Sequence, residues 1–135
     1  MFRIDSVGKL VLIHVTSIAS LEEIGSFQSE VMHYVDDAPV KAIVVVDLRT
    51  PRIFAPDVAT ALEDMLKRAN PRIHRSAVLL AKEHAVFSLQ LERIIREARN
   101  PARRTFRNTE ELSQWLHEHL NAREAEQLET FLNAR

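Results

Sequence analysis

At 135 residues, 46% of them hydrophobic and 27% charged, the chain has the length of one domain and the composition of a folded one rather than a disordered segment. The absence of cysteine removes thiolate catalysis, zinc ribbons, iron–sulfur ligation and disulfide stapling together. Net charge is −1 but unevenly spread: residues 1–65 carry −5, residues 66–107 carry +8 and residues 108–135 carry −4, a basic middle between acidic ends.

Phe2-Arg3-Ile4-Asp5 alternates apolar and polar, Gly8 supplies a turn, and Leu10 to Thr16 is rich in β-branched and aliphatic residues, which together predict a β-hairpin. Ser20 and Glu23 form a capping-box pattern, and Leu21, Ile24, Phe27 and Val31 follow at helical spacing until Asp36-Asp37-Ala38-Pro39. Lys41 to Asp47 holds an unbroken run of β-branched residues, the pattern of a strand covered on both faces. A loop runs to Pro56, where a second helix starts with Val58, Leu62, Met65 and Leu66 inward and Asn70-Pro71 at its end. Ser76 to Ala81 predicts another buried strand, and residues 85–98 a third helix with Phe87, Leu91, Ile94 and Ile95 inward. Arg104 to Arg107 reads as a short edge strand, and Asn108 caps a helix with Leu112, Trp115, Leu116 and Leu120 inward. Beyond Asn121 a thinner stripe, Ala125, Leu128, Phe131 and Leu132, either continues that helix or restarts one, packing on its own domain or on a second copy.

The expected fold is therefore α/β, with a mixed, largely parallel sheet of about five strands in β-β-α-β-α-β-α-β-α order and helices packed on it. Residues 1–120 form the domain and residues 121–135 a C-terminal helical extension. The N-terminus has an acid too early and an apolar run too short for a signal peptide, and no stretch approaches the roughly 20 apolar residues that span a bilayer. A cytoplasmic location is expected.

This order, the strand ending Val45-Val46-Asp47-Leu48, and the closing segment from Thr105 to Leu116, with its aromatic residue, capped turn and Trp115-Leu116 pair, resemble the sulfate-transporter and anti-sigma-factor-antagonist (STAS) superfamily. The likeness is greatest to the divergent, stand-alone bacterial STAS-like branch and covers about residues 2–120. It implies a regulatory, non-catalytic module that docks a protein partner through the loop after Asp47-Leu48, here Arg49, Arg52, Ile53, Phe54 and Asp57. Regulatory members carry a phosphorylatable serine at the start of the next helix; Pro56 or Asp57 stands there, so the resemblance does not extend to that switch. Val46 to Pro51 is also similar to the phospho-accepting segment of receiver domains. Those domains need an acidic pair after the first buried strand, where this chain has His14-Val15-Thr16-Ser17, and that reading is rejected.

The remaining residues offer little chemistry. The six histidines have no metal-binding spacing, and two glycines cannot build a phosphate-cradling loop or a hydrolase elbow, so no metal or cofactor is expected. Arg93, Arg96, Arg99, Arg103 and Arg104 form a basic segment suited either to pairing with the acidic segments or to an anionic partner surface. Nucleic acid is disfavoured, since only Phe106 interleaves with these arginines. Two rivals to the docking module stand: a binder of a small apolar or lipid-like ligand, suggested by the pair Ile53-Phe54, and an enzyme built on His84 with Asp47. A homodimer through the C-terminal helix is a further expectation.

Overall fold

The structure, a computed structural model, describes residues 1–50 and 53–134. β1 (Phe2–Val7) and β2 (Leu10–Val15) form the antiparallel hairpin; β3 (Ala42–Leu48), β4 (Ile73–Leu80) and β5 (Arg103–Phe106) then add parallel to β2, one beside the last. The five helices are α1 (Leu21–Asp37), α2 (Pro56–Ala69), α3 (Ala85–Glu97), α4 (Thr109–Leu116) and α5 (Ala122–Asn133). The architecture is the expected α/β one, and β5 is the expected edge strand.

Same-handed crossovers that step always toward the same edge put α1, α2 and α3 on one face of the sheet. There Val11, Ile13, Val44 and Val78 meet Phe27 and Val31 of α1, Leu62 of α2, and Phe87 and Leu91 of α3. On the other face Leu10, Leu12, Ile43, Val45 and Leu79 meet Leu112 and Leu116 of α4 and Leu128 and Leu132 of α5. Burial on both sides is why β2, β3 and β4 show no polar alternation.

Two local features depart from the sequence pattern. β4 starts at Ile73, not Ser76, because the ladder shifts register at its foot: Ala42 pairs with Ile73 and Ile43 with Arg75, leaving His74 as the extra residue of a bulge. Two polar residues at a bulge conceal a strand start from any test of alternation. The C-terminal segment breaks and restarts. A 3-10 turn, His117–His119, closes α4, and Asn121 with Glu124 makes a complete capping box for α5. The stripe of α5 packs in cis, as the 2% exposure of both Leu128 and Leu132 shows.

Glu124 docks that helix. Its carboxylate, 2% exposed, accepts from the Lys9 backbone amide at 3.0 Å and pairs with Lys9 Nζ at 2.6 Å, so α5 grips the β1–β2 turn. Burial pushes the Glu124 carboxyl up, but hydrogen bonds from Lys9 and Asn121 and the Lys9 charge outweigh it and hold it below the usual range. Gly8, at φ +57°, lies so close that a Cβ would overlap the Glu124 carboxylate. Left-handed backbone alone costs other residues about 1–2 kcal/mol. Gly8→Ala is therefore expected to destabilise by more than that amount, and Glu124→Gln by about 1–3 kcal/mol. Urea midpoints would report both with unchanged slope; shifts of less than about 0.5 kcal/mol would mean the turn and α5 are not clamped.

Candidate functional site

The parallel strands end in a polar cluster built around Asp47. Registry sets His14, near the end of β2, directly opposite Asp47 on β3. Asp47 is 1% exposed, and its Oδ2 lies 3.1 Å from His14 Nδ1. Because Asp47 is an anion, this contact is favourable with a proton on Nδ1. The chain turns after Leu48 so that Arg49 folds back: its amide and Nε donate to Asp47 Oδ1, and one terminal nitrogen to Oδ2, each at 3.0 Å. The same terminal nitrogen donates to the Leu132 carbonyl at 3.1 Å, which ties the end of α5 to this network. Burial pushes the Asp47 carboxyl up, and the hydrogen bonds and charge of Arg49, with His14, more than reverse it, leaving it below the usual carboxylate range.

A cavity of about 220 Å³ opens beside these groups, lined by His14, Asp47, Arg49, Thr50, Ala81 and Glu83. A second cleft, about 510 Å³, shares Arg49, Ala81 and Glu83 and adds Lys82 and Arg107. The carboxyl ends of parallel strands are where α/β folds hold ligands. Here, however, Arg49 occupies both oxygens of Asp47, and no side-chain hydroxyl bonds to His14 among the described residues. The bonds hold a loop and a helix end rather than activate a nucleophile. His84 stands exposed at the start of α3 and does not line the cavity that contains Asp47. The histidine that meets Asp47 is His14. A signal for it existed: polar residues ending two neighbouring buried strands must satisfy one another.

The loop residues expected to dock a partner divide by role. Phe54 is 5% exposed, its ring packed edge-on against Phe87 at 5.3 Å. Its amide donates to Gln90 Oε1 at 2.8 Å and its carbonyl accepts from Gln90 Nε2 at 2.9 Å. Phe54 and Arg49 are thus anchors inside the fold, and of the two apolar residues named for docking Phe54 does not face water. Ile53 does, at 57% exposure. Asp57 is exposed in the first turn of α2, and Arg52 lies outside the described residues. Two residues that the sequence reading passed over share this end: Val86 and Leu89 of α3, each 67% exposed. They are the apolar positions off the inward stripe of that helix.

The five basic-segment arginines do not form one surface. Arg93 and Arg96 are exposed on α3, and Arg99 is exposed just after it. Arg104 lies across the sheet, its guanidinium 5.2 Å from the Phe106 ring and 5.7 Å from that of Trp115. Arg103 is buried, donating to Asn70 Oδ1 at 3.2 Å, Ser76 Oγ at 3.3 Å and the Leu66 carbonyl at 3.1 Å. Burial pulls its guanidinium down to about 10, still protonated at neutral pH. It closes one end of an apolar cavity between the sheet and α1–α3, lined by Val31, Val44, Leu62, Met65 and Leu91 among others. That cavity holds about 50 Å³, less than the bulk volume of two waters.

Among the described residues no group of three or more His, Asp or Glu is placed to hold a metal ion, and no helix is long and apolar enough to cross a membrane. Removing the charge of Asp47 tests the cluster directly. The folded carboxyl titrates below its unfolded value of about 4, so its stabilisation is complete above that pH and is lost as pH falls through the folded value. Asp47→Asn is expected to cost about 3–5 kcal/mol at pH 7, because it leaves Arg49 half-buried without its counter-charge. The gap from wild type should narrow by pH 3, as read from urea midpoints; an equal gap at both pH values would show that Asp47 is not ionised in the fold. No protein-family model matches the chain, and no curated protein matches it.

Proposed function

We propose that the chain is a non-catalytic protein-interaction or regulatory module of STAS-like type, which docks a protein partner at the carboxyl end of its sheet. The observation that carries this reading is the trio Ile53, Val86 and Leu89, large apolar side chains at 57%, 67% and 67% exposure on two adjoining elements. The Phe54–Phe87 contact and the paired bonds to Gln90 hold those elements together. Large apolar side chains left exposed next to a buried anchor are what a protein interface covers.

Asp57 adds a negative charge in the exposed first turn of α2, and Pro56 and Asp57 leave no hydroxyl for a phosphate switch at that point. On this reading partner binding is constitutive or is controlled from the partner's side, and the module is cytoplasmic. A dimer through α5 gains no support, because the apolar stripe of that helix lies in its own core. Catalysis gains none from a carboxylate fully engaged by Arg49. A lipid-like ligand would need far more room than the apolar cavity offers.

Affinity capture from the source cell tests the surface. Wild type and Arg123→Glu, an exposed change on α5 across the sheet from the trio, should retain the same partner. Val86→Glu with Leu89→Glu should lower its recovery about tenfold or more, the range of an interface hot spot. Equal recovery by all three proteins would sink the proposed surface.

A further inference from the structure

At the opposite end of the sheet, on the α4 side, two arginines meet the single tryptophan, and His74, next in the chain to one of them, meets a second histidine. The bulge at the foot of β4 creates the arrangement. Ile73 and Ser76 point to the α1–α3 side, where they line the apolar cavity. The two residues between them turn the other way: Arg75 lies 4.7 Å over the Trp115 ring, and the His74 ring is 5.1 Å from that of His119. Arg104, from neighbouring β5, lies on the same Trp115. From the helix side come Trp115, in α4, and His119, in the 3-10 turn that closes it.

None of these cations has an acid partner. Among the described residues no carboxylate lies within ion-pair distance of Arg75, Arg104, His74, His119 or nearby Lys41, although other basic residues pair readily, as Arg107 does with Glu92 at 3.0 Å. Arg75 Nε is buried without a hydrogen-bond partner, the one such side-chain nitrogen or oxygen among the described residues. Partial burial, followed by the positive charges of His119, Arg75, Lys41 and Lys9, depresses protonation of His74, as expected where cations gather without anions.

We propose that His74, Arg75, Arg104 and His119, framed on Trp115, form a binding site for a phosphate monoester or free phosphate. Two guanidinium groups held against an aromatic ring lose less freedom on binding than free ones and present fork-shaped donors to a tetrahedral dianion. The two histidines add donors. A nucleic-acid strand fits less well. Guanidinium groups already lie on the indole where a base would stack, and a chain of net charge −1 offers no long basic track. The site is independent of the docking trio, from which the length of the strands separates it.

Trp115 is the chain's one tryptophan, so its emission reports on the site alone. Sodium phosphate, O-phosphoserine and sodium acetate would be titrated at constant ionic strength into wild type, Arg75→Gln, Arg104→Gln and Arg96→Gln. Saturable changes with the phosphate probes, none with acetate, a loss of affinity of about tenfold or more in the Arg75 and Arg104 variants, and none in Arg96→Gln are expected. Because Arg75 and Arg104 touch the fluorophore, shifts of the His74 and His119 ring protons by NMR would be followed in the same titrations. Tighter binding of O-phosphoserine would mark an ester as the ligand, and equal or tighter binding of inorganic phosphate the free ion. A change that is linear, equal in acetate, or of equal midpoint in all four proteins would overturn the site.

Discussion

Each β-strand-to-β-strand crossover in this chain steps the same way, so three helices fall on one face of the sheet and leave the other bare. The bare face carries Leu10, Leu12, Ile43, Val45 and Leu79, all 5% exposed or less once covered. At roughly 1.5–3 kcal/mol for each large apolar side chain, leaving them in water would offset much of the 5–15 kcal/mol by which a domain is stable. Closing that face falls to α4 and α5. α4 follows β5 directly and has little choice of place. α5 comes after a break, and polar contacts at both of its ends fix where it lies: Glu124 on the β1–β2 turn, and the Leu132 carbonyl on Arg49.

The second contact links closure of the core to the candidate site. Arg49 can hold the end of α5 because Asp47 holds Arg49, and Asp47 sits on β3, the central strand of the sheet. The same turn launches the segment that Phe54 then pins to α3. A single buried carboxylate thus orients the end of the fold at which Ile53, Val86 and Leu89 are displayed. The opposite end carries a different chemistry, a cluster of cations made possible by one bulge. The sheet separates an apolar surface from a basic one, and the uneven charge of the sequence reaches the surface at its foot rather than along one stripe.

Much of the fold was legible because burial on two faces leaves an unmistakable mark: Ala42 to Val46 admits almost nothing but a central strand. Helix starts at Ser20 and Asn108 were legible through their caps. The start of β4 was not, because His74 and Arg75 are polar residues at a bulge and break the apolar run. Asn121 and Glu124 carried a cap signal that the thin apolar stripe around it obscured. The site was less legible still. Phe54 was named with Ile53 as a docking or ligand residue, yet tertiary packing on Phe87 buries it. Arg103 and Arg104 are neighbours in sequence but belong to opposite faces of one strand, so a run of arginines became a core plug and a surface cation. The His14–Asp47 pair was half legible: both polar residues end buried strands, but that the two strands are neighbours comes from the topology.

Hydrogen exchange of the native protein tests most directly whether α5 is part of this core. If the two polar contacts and the buried leucines hold it, amides of residues 122–133 beyond the first turn should exchange only on global unfolding, with the same free energy as those of β3. Exchange of α5 at free energies far below that of β3 would contradict the account, since it would mean that the second face opens while the sheet remains folded.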